Sequence, residues 1–204
     1  MGKYLKFILC FLFLSVSFSK DELPKTFLKD LKGKKVDVLD VLGEGPMAIN
    51  FWFLACGPCK KEMKFLNEFH KKYEKDGFKV LSVTTDNSRT LKQVKPYVKS
   101  QEYAFPVVSD PKEQFFRKLG GKVCPFLVLV DHDGNIVQKH SGYNPGDEIK
   151  LEKEIQELLS AYKEVKLPEE SILPENSDQV EQTKDEEAKT LEVEEAKTLE
   201  VNEQ

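Results

Sequence analysis

Met47-Ala48-Ile49-Asn50-Phe51-Trp52-Phe53-Leu54-Ala55-Cys56-Gly57-Pro58-Cys59-Lys60-Lys61-Glu62-Met63 reads as an apolar strand that turns into a helix, with two cysteines at the turn. Met47 to Leu54 is a continuous apolar run of the buried-strand kind. Cys59, Met63, Leu66 and Phe69 then recur at helical spacing to about Lys75, and Gly77 ends the helix. A thiol at a helix N-terminus meets unpaired backbone N–H groups and the positive end of the helix dipole, and both favour thiolate over thiol. Pro58 suits first-turn geometry, where its missing N–H costs nothing. Two intervening residues let the sulfurs close a small ring, so the pair reads as a redox switch. Zinc is the structural alternative, but no second CxxC or His-x3-His follows to complete a site, and no metal is expected. His70, His132 and His140 stand apart and are expected at the surface or in turns.

Downstream, Phe78 to Thr85 is expected as a strand, Leu91 to Val98 as a helix bent or started near Pro96, and Phe105 to Ser109 as a short strand. Pro111 to Leu119 is expected as a short helix capped by Asp110. Pro125 to Asp131 and Ile136 to His140 flank an Asp133-Gly134 turn, a hairpin signal. Gly146 to Tyr162 closes the core as a helix with Ile149, Ile155, Leu158 and Leu159 on one face. Alternating strands and helices followed by a hairpin and a final helix imply an α/β fold, a central mixed β-sheet flanked by helices on both faces.

The ends of the 204-residue chain differ from this core. Residues 1 to 19 carry Lys3 and Lys6, then a 12-residue apolar stretch from Phe7 to Phe18, then small residues up to Ser19. That stretch is short of the ~20 residues that span a bilayer. A signal peptide cleaved near Ser19 is expected, with a retained membrane anchor as the alternative. Cys10 leaves with the signal, so Cys56, Cys59 and Cys124 enter an oxidising compartment, the periplasm or cell envelope. From Glu164 onward 14 acidic residues face 4 lysines, a net charge of −10 against −4 for the whole chain. This acidic, aromatic-poor tail is expected to be disordered. It holds an eight-residue tandem repeat, Glu186 to Val193 recurring as Glu194 to Val201. The expected division is therefore residues 1–19, a domain over 20–163 and a tail over 164–204.

With these residues in place, the stretch over about 30 to 162 resembles the thioredoxin superfamily, and within it the exported TlpA/ResA-like thiol-disulfide oxidoreductases. The resemblance rests on the Asn50-Phe51-Trp52 strand, Cys56-Gly57-Pro58-Cys59, the Lys60-Lys61-Glu62 that follows, a central βαβ insertion, and Pro125 opening Phe126 to Asp131 before Asp133-Gly134. It implies a thioredoxin fold in which Cys56 is the exposed nucleophile, Cys59 the recessed resolving thiol and Pro125 a cis-proline facing them. Glu62 matches the glutamate that serves as proton shuttle in exported relatives, while Asn50 stands where cytoplasmic thioredoxins carry a buried acid. Gly57, Pro58, Cys124 and Pro125 are expected to face the substrate. Two departures stand out: Ala55 replaces the tryptophan common before the first cysteine, and Cys124 precedes the cis-proline.

The activity implied is thiol-disulfide exchange without a cofactor, acting on disulfides of exported proteins, for example in cytochrome c maturation. A membrane electron donor and a monomeric state are expected, and no nucleic-acid partner. The Gly57-Pro58 dipeptide resembles reducing thioredoxins, near roughly −270 mV. A peroxiredoxin-like peroxidase is one alternative, but Phe53 stands where such enzymes resemble one another in a threonine. A Cu(I)-handling chaperone is another, with Cys56, Cys59 and Cys124 as three soft ligands.

Overall fold

The structure, a computed structural model, describes residues 21–166. The expected signal peptide, Cys10, and the stretch beyond Lys166 of the tail expected to be disordered, with its repeat, lie outside the described residues. Up to Glu164 the described residues belong to one compact unit. No helix among them is long and apolar enough to cross a membrane.

Among the described residues seven strands, β1 (Phe27–Asp30), β2 (Lys35–Asp37), β3 (Met47–Trp52), β4 (Lys79–Thr84), β5 (Val107–Ser109), β6 (Phe126–Val130) and β7 (Ile136–Ser141), form one mixed sheet in the order β2-β1-β5-β4-β3-β6-β7. The strand β3 (Met47–Trp52) is buried at every position. It pairs in parallel with β4 (Lys79–Thr84) and antiparallel with β6 (Phe126–Val130). Because successive side chains of a strand point to opposite faces, β3 feeds two separate cores. Met47, Ile49 and Phe51 join Leu81, Val83, Val128, Phe115 and Phe116 on one face. Ala48 and Trp52 join Val80, Leu127, Met63, Leu66 and Ile155 on the other. A strand covered on both sides has no place for polar alternation, hence a run that is apolar at every position but Asn50.

The second face is roofed by α2 (Gly57–Tyr73) and α5 (Asp147–Lys166). Helix α2 buries Cys59, Glu62, Met63, Leu66, Phe69, His70 and Tyr73, one stripe at three- and four-residue spacing. The buried stripe of α5 is Leu151, Ile155, Leu159 and Tyr162. Ile149, expected on that face, is instead 74% exposed. It sits two residues before Leu151, about 200° round the helix, and so points away from the sheet. The helix also continues three residues into the stretch expected as tail. His70, expected at the surface, is buried, edge-on to Phe105 at 6.1 Å between ring centres.

The expected helix near Pro96 runs through it as α3 (Leu91–Gln101). After β5 (Val107–Ser109), α4 (Gln114–Lys118) is shorter than expected. Asp110 caps it from a distance, its two carboxylate oxygens accepting from the backbone N–H groups of Gln114 and Phe116, both at 2.9 Å. The hairpin of β6 and β7 (Ile136–Ser141) turns on Asp131, whose carboxylate accepts from the backbone N–H of Asp133 and Asn135.

Three elements have no counterpart among the sequence-based expectations: β1 (Phe27–Asp30), β2 (Lys35–Asp37) and the short helix α1 (Val38–Leu42). The two strands form a hairpin whose β1 pairs antiparallel with β5, extending the sheet on that side.

Candidate active site

Cys56 is the N-cap of α2, and the chain enters it through a tight turn in which its own N–H donates to the Phe53 carbonyl at 2.9 Å. The Cys59 backbone N–H donates to Cys56 Sγ at 3.2 Å. A cysteine sulfur thus occupies the place where a serine or aspartate oxygen usually satisfies a first-turn N–H. Cys56 and Cys59 are joined as a disulfide, with Cα atoms 5.3 Å apart. Cys59 is fully covered, and Cys56, expected to be exposed, is itself only 6% exposed in this oxidised state. Around them Ala55, Gly57 and Pro58 are exposed.

Pro125 opens β6 after a cis peptide bond from Cys124, and its carbonyl accepts from the Gly142 N–H at 2.8 Å. Cys124 is a free, half-buried thiol. Burial pushes it up to about 11, opposed by a hydrogen bond with Thr85 and reinforced by the charges of Glu113 and Glu62. Among the described residues, no group of three His, Cys, Asp or Glu is gathered closely enough to hold a metal ion. The three-sulfur set considered for Cu(I) is therefore not assembled in the oxidised protein, where two of its members are bonded to each other.

Behind the disulfide lies a polar island in an apolar layer. Glu62 follows Cys59 by three residues, on the same buried stripe of α2. Its Oε2 accepts from Asn50 Nδ2 at 2.9 Å, and Asn50 Oδ1 accepts from Ser82 Oγ at 3.0 Å. Asn50 and Ser82 are register partners on β3 and β4, so sheet pairing alone aligns the chain of donors. Burial pushes the Glu62 carboxyl up to about 7, opposed by the Asn50 hydrogen bond and helped by the charge of Asp147. A carboxyl poised there can take and release a proton at neutral pH.

Sequence reasoning passes over Asp86. Its buried carboxylate accepts from the Leu54 N–H at 2.8 Å and from Thr84 Oγ1 at 2.7 Å. These bonds fix the loop that carries Ala55 into Cys56. The signal available is an acid just beyond the apolar run of a strand, where side-chain acceptors organise turns. Beside that loop runs an open groove of about 530 Å³ lined by Phe53, Leu54, Ala55, Thr85, Asn87 and Gln93 among others. Phe53, which occupies the threonine position of peroxiredoxin-like enzymes, is 39% exposed at its edge.

A family profile described as Redoxin matches residues 18–156. The chain is similar to the thiol-disulfide oxidoreductase ResA of Bacillus thuringiensis, 34% identical over 121 residues, which are 59% of this chain and 68% of that protein. Among solved structures it is similar to a candidate thiol:disulfide interchange protein DsbE from Chlorobium tepidum, with TM-score 0.63 and 28% identity, covering 69% of this chain and 96% of the other. It is likewise similar to an uncharacterized thioredoxin-like protein from Porphyromonas gingivalis, with TM-score 0.59 and 30% identity over 68% of this chain and 92% of the other.

Proposed function

The chain belongs to the redoxin family and is a thiol-disulfide oxidoreductase, and from this footing we propose that it reduces disulfides of exported proteins in the cell envelope, using Cys56 and Cys59 as its dithiol. Export is inferred from residues 1 to 19, and the substrates from what relatives of this kind are named for, thiol-disulfide exchange. Electrons reach the dithiol from a membrane donor, and the protein works as a monomer.

The observation that carries the reading is the disulfide at the N-cap of α2 with a buried carboxyl directly behind it. Once the pair is reduced, Cys56 is the nucleophile. Its thiolate is favoured by the helix dipole and by the Cys59 N–H already directed at its sulfur. It attacks a substrate disulfide, one substrate sulfur leaves as thiolate, and a mixed disulfide forms. Glu62 takes the proton of Cys59, whose thiolate then attacks Cys56 Sγ. The Cys56–substrate bond breaks, the second substrate sulfur leaves, and the Cys56–Cys59 disulfide is restored. The substrate thiolates take two protons, so a disulfide has been passed from substrate to enzyme with no other oxidant. Gly57, Pro58, Cys124 and Pro125 form the surface against which the substrate strand lies, and the groove opened by Ala55 accommodates its flanking side chains.

Substituting Cys59→Ser removes the resolving thiol and should leave Cys56 stalled in mixed disulfides that dithiothreitol releases and mass spectrometry identifies. Recovery of only free Cys56 from the envelope of the source cell would count against the proposal.

A further inference from the structure

Glu62 borders a second cavity, of about 130 Å³. Glu62 and Leu127 line it from the core, and Tyr143, Asp147 and Leu151 line it from the segment entering α5 and from α5 itself. It shares no lining residue with the groove beside Ala55, and neither cysteine of the disulfide borders it. The cavity is therefore an approach to the buried carboxyl that passes neither cysteine, although Gly142 on its wall donates to the Pro125 carbonyl.

The other titratable groups around Glu62 are mostly engaged. His140 Nε2 lies 2.7 Å from Glu154 Oε2, and Lys150 is 3.5 Å from the same carboxylate. Tyr143 donates to Glu148 Oε2, which also accepts from the Gly146 N–H. Cys124, on the approach to β6, is held as a neutral thiol. Asp147 differs: its Oδ2 accepts from the Asn144 backbone N–H at 2.7 Å, and among the described residues no cation is paired with it. An exposed, unneutralised carboxylate therefore borders the same small cavity as the buried one.

We propose that this cavity is the solvent and proton path to Glu62, open while a substrate covers the thiol face, and that Asp147, which lines it beside Glu62, is a positioning residue that acts through Glu62. This role deepens the reading of Glu62 as the base for Cys59 and rests on it. During the mixed disulfide the substrate protein covers Ala55, Gly57 and Pro58, so a proton leaving Glu62 needs another exit. The approach through α5 supplies one without exposing the sulfurs to water.

The test reads the Glu62 carboxyl directly. Infrared difference spectra of the wild-type chain against Glu62→Gln isolate its carboxylic-acid band, which is titrated in wild type, Asp147→Asn and Asp147→Glu. Asparagine keeps the acceptor for the Asn144 N–H while removing the charge. The midpoint should fall by roughly half to one pH unit in Asp147→Asn, as expected for loss of a like charge near a partly buried site, and return in Asp147→Glu. In Cys59→Ser trapped as a mixed disulfide with the insulin B chain, the band should still titrate and exchange with deuterium oxide. An unmoved midpoint in Asp147→Asn, or a band that no longer responds once the thiol face is covered, would overturn the inference. The underlying reading fails separately: in that case Glu62→Gln would leave the rate of Cys56–Cys59 closure unchanged while the titrations came out as described.

Discussion

Glu62 is the residue on which structure and chemistry conflict most. A carboxyl buried beneath α2 with one hydrogen-bond donor is poorly solvated when charged, and burial pushes it up to about 7 from 4.5. A group whose folded value is raised is protonated more in the folded than in the unfolded chain between those two values. Stability is therefore lost as pH rises from about 4.5 through 7 and is flat above. Glu62→Gln removes this dependence, and the oxidised variant should be more stable than wild type at pH 8 by on the order of 2–3 kcal/mol, at ~1.4 kcal/mol per pH unit. Urea denaturation at several pH values checks it, and parallel pH profiles for the two proteins would refute it. Cys124 sets a contrasting expectation. With its thiol pushed up to about 11, it should react with iodoacetamide far more slowly than Cys56 in the reduced protein at neutral pH, as peptide mapping after timed alkylation would reveal.

Legibility at this scale follows pattern. Cys56 and Cys59 can be named from their place between a strand end and a helix start, and Glu62 from the family resemblance, which puts an acid three residues after the second cysteine. His70 passes for a surface residue when taken as an isolated histidine. Its spacing of four from Leu66 and three from Tyr73 already places it on the buried stripe.

Among the elements, the long apolar ones are readable and the short half-exposed ones are not. Strand β3, with six of six positions buried, announces itself by composition. β2 exposes or half-exposes all three of its residues and β1 buries only Leu28, so neither shows a two-residue alternation long enough to detect. Helix α5 misleads at its outer edge because an apolar residue near a helix start does not have to face the sheet, and Ile149 does not. The loop that delivers Cys56 owes its shape to Asp86, whose place after β4 marks a turn acceptor but whose partner Leu54 lies 32 residues away, beyond the reach of a local pattern. Asp86→Ala should destabilise the protein by about 2–3 kcal/mol, as expected for removing a buried charge-assisted acceptor from two donors. It should also loosen the groove, and thermal denaturation together with amide exchange at Leu54 would detect both effects. An unchanged melting temperature would show that the loop is held by other contacts.

At the scale of the whole molecule, the two-faced sheet places one end of β3 at the disulfide and lets both neighbouring strands and α2 converge there. The fold class is legible because strand–helix alternation and a terminal hairpin leave few ways to cover both faces of a mixed sheet. The role proposed for Cys56 and Cys59 is to cycle between joined and separate forms as a reducing pair. Equilibrating the protein in dithiothreitol redox buffers, quenching with a thiol alkylator and weighing the products gives the reduction potential of the pair. A reversible two-electron transition near roughly −270 mV is expected, with Cys124 taking no part in it. A pair that stays bridged at every poise, or a potential above about −180 mV, would contradict it.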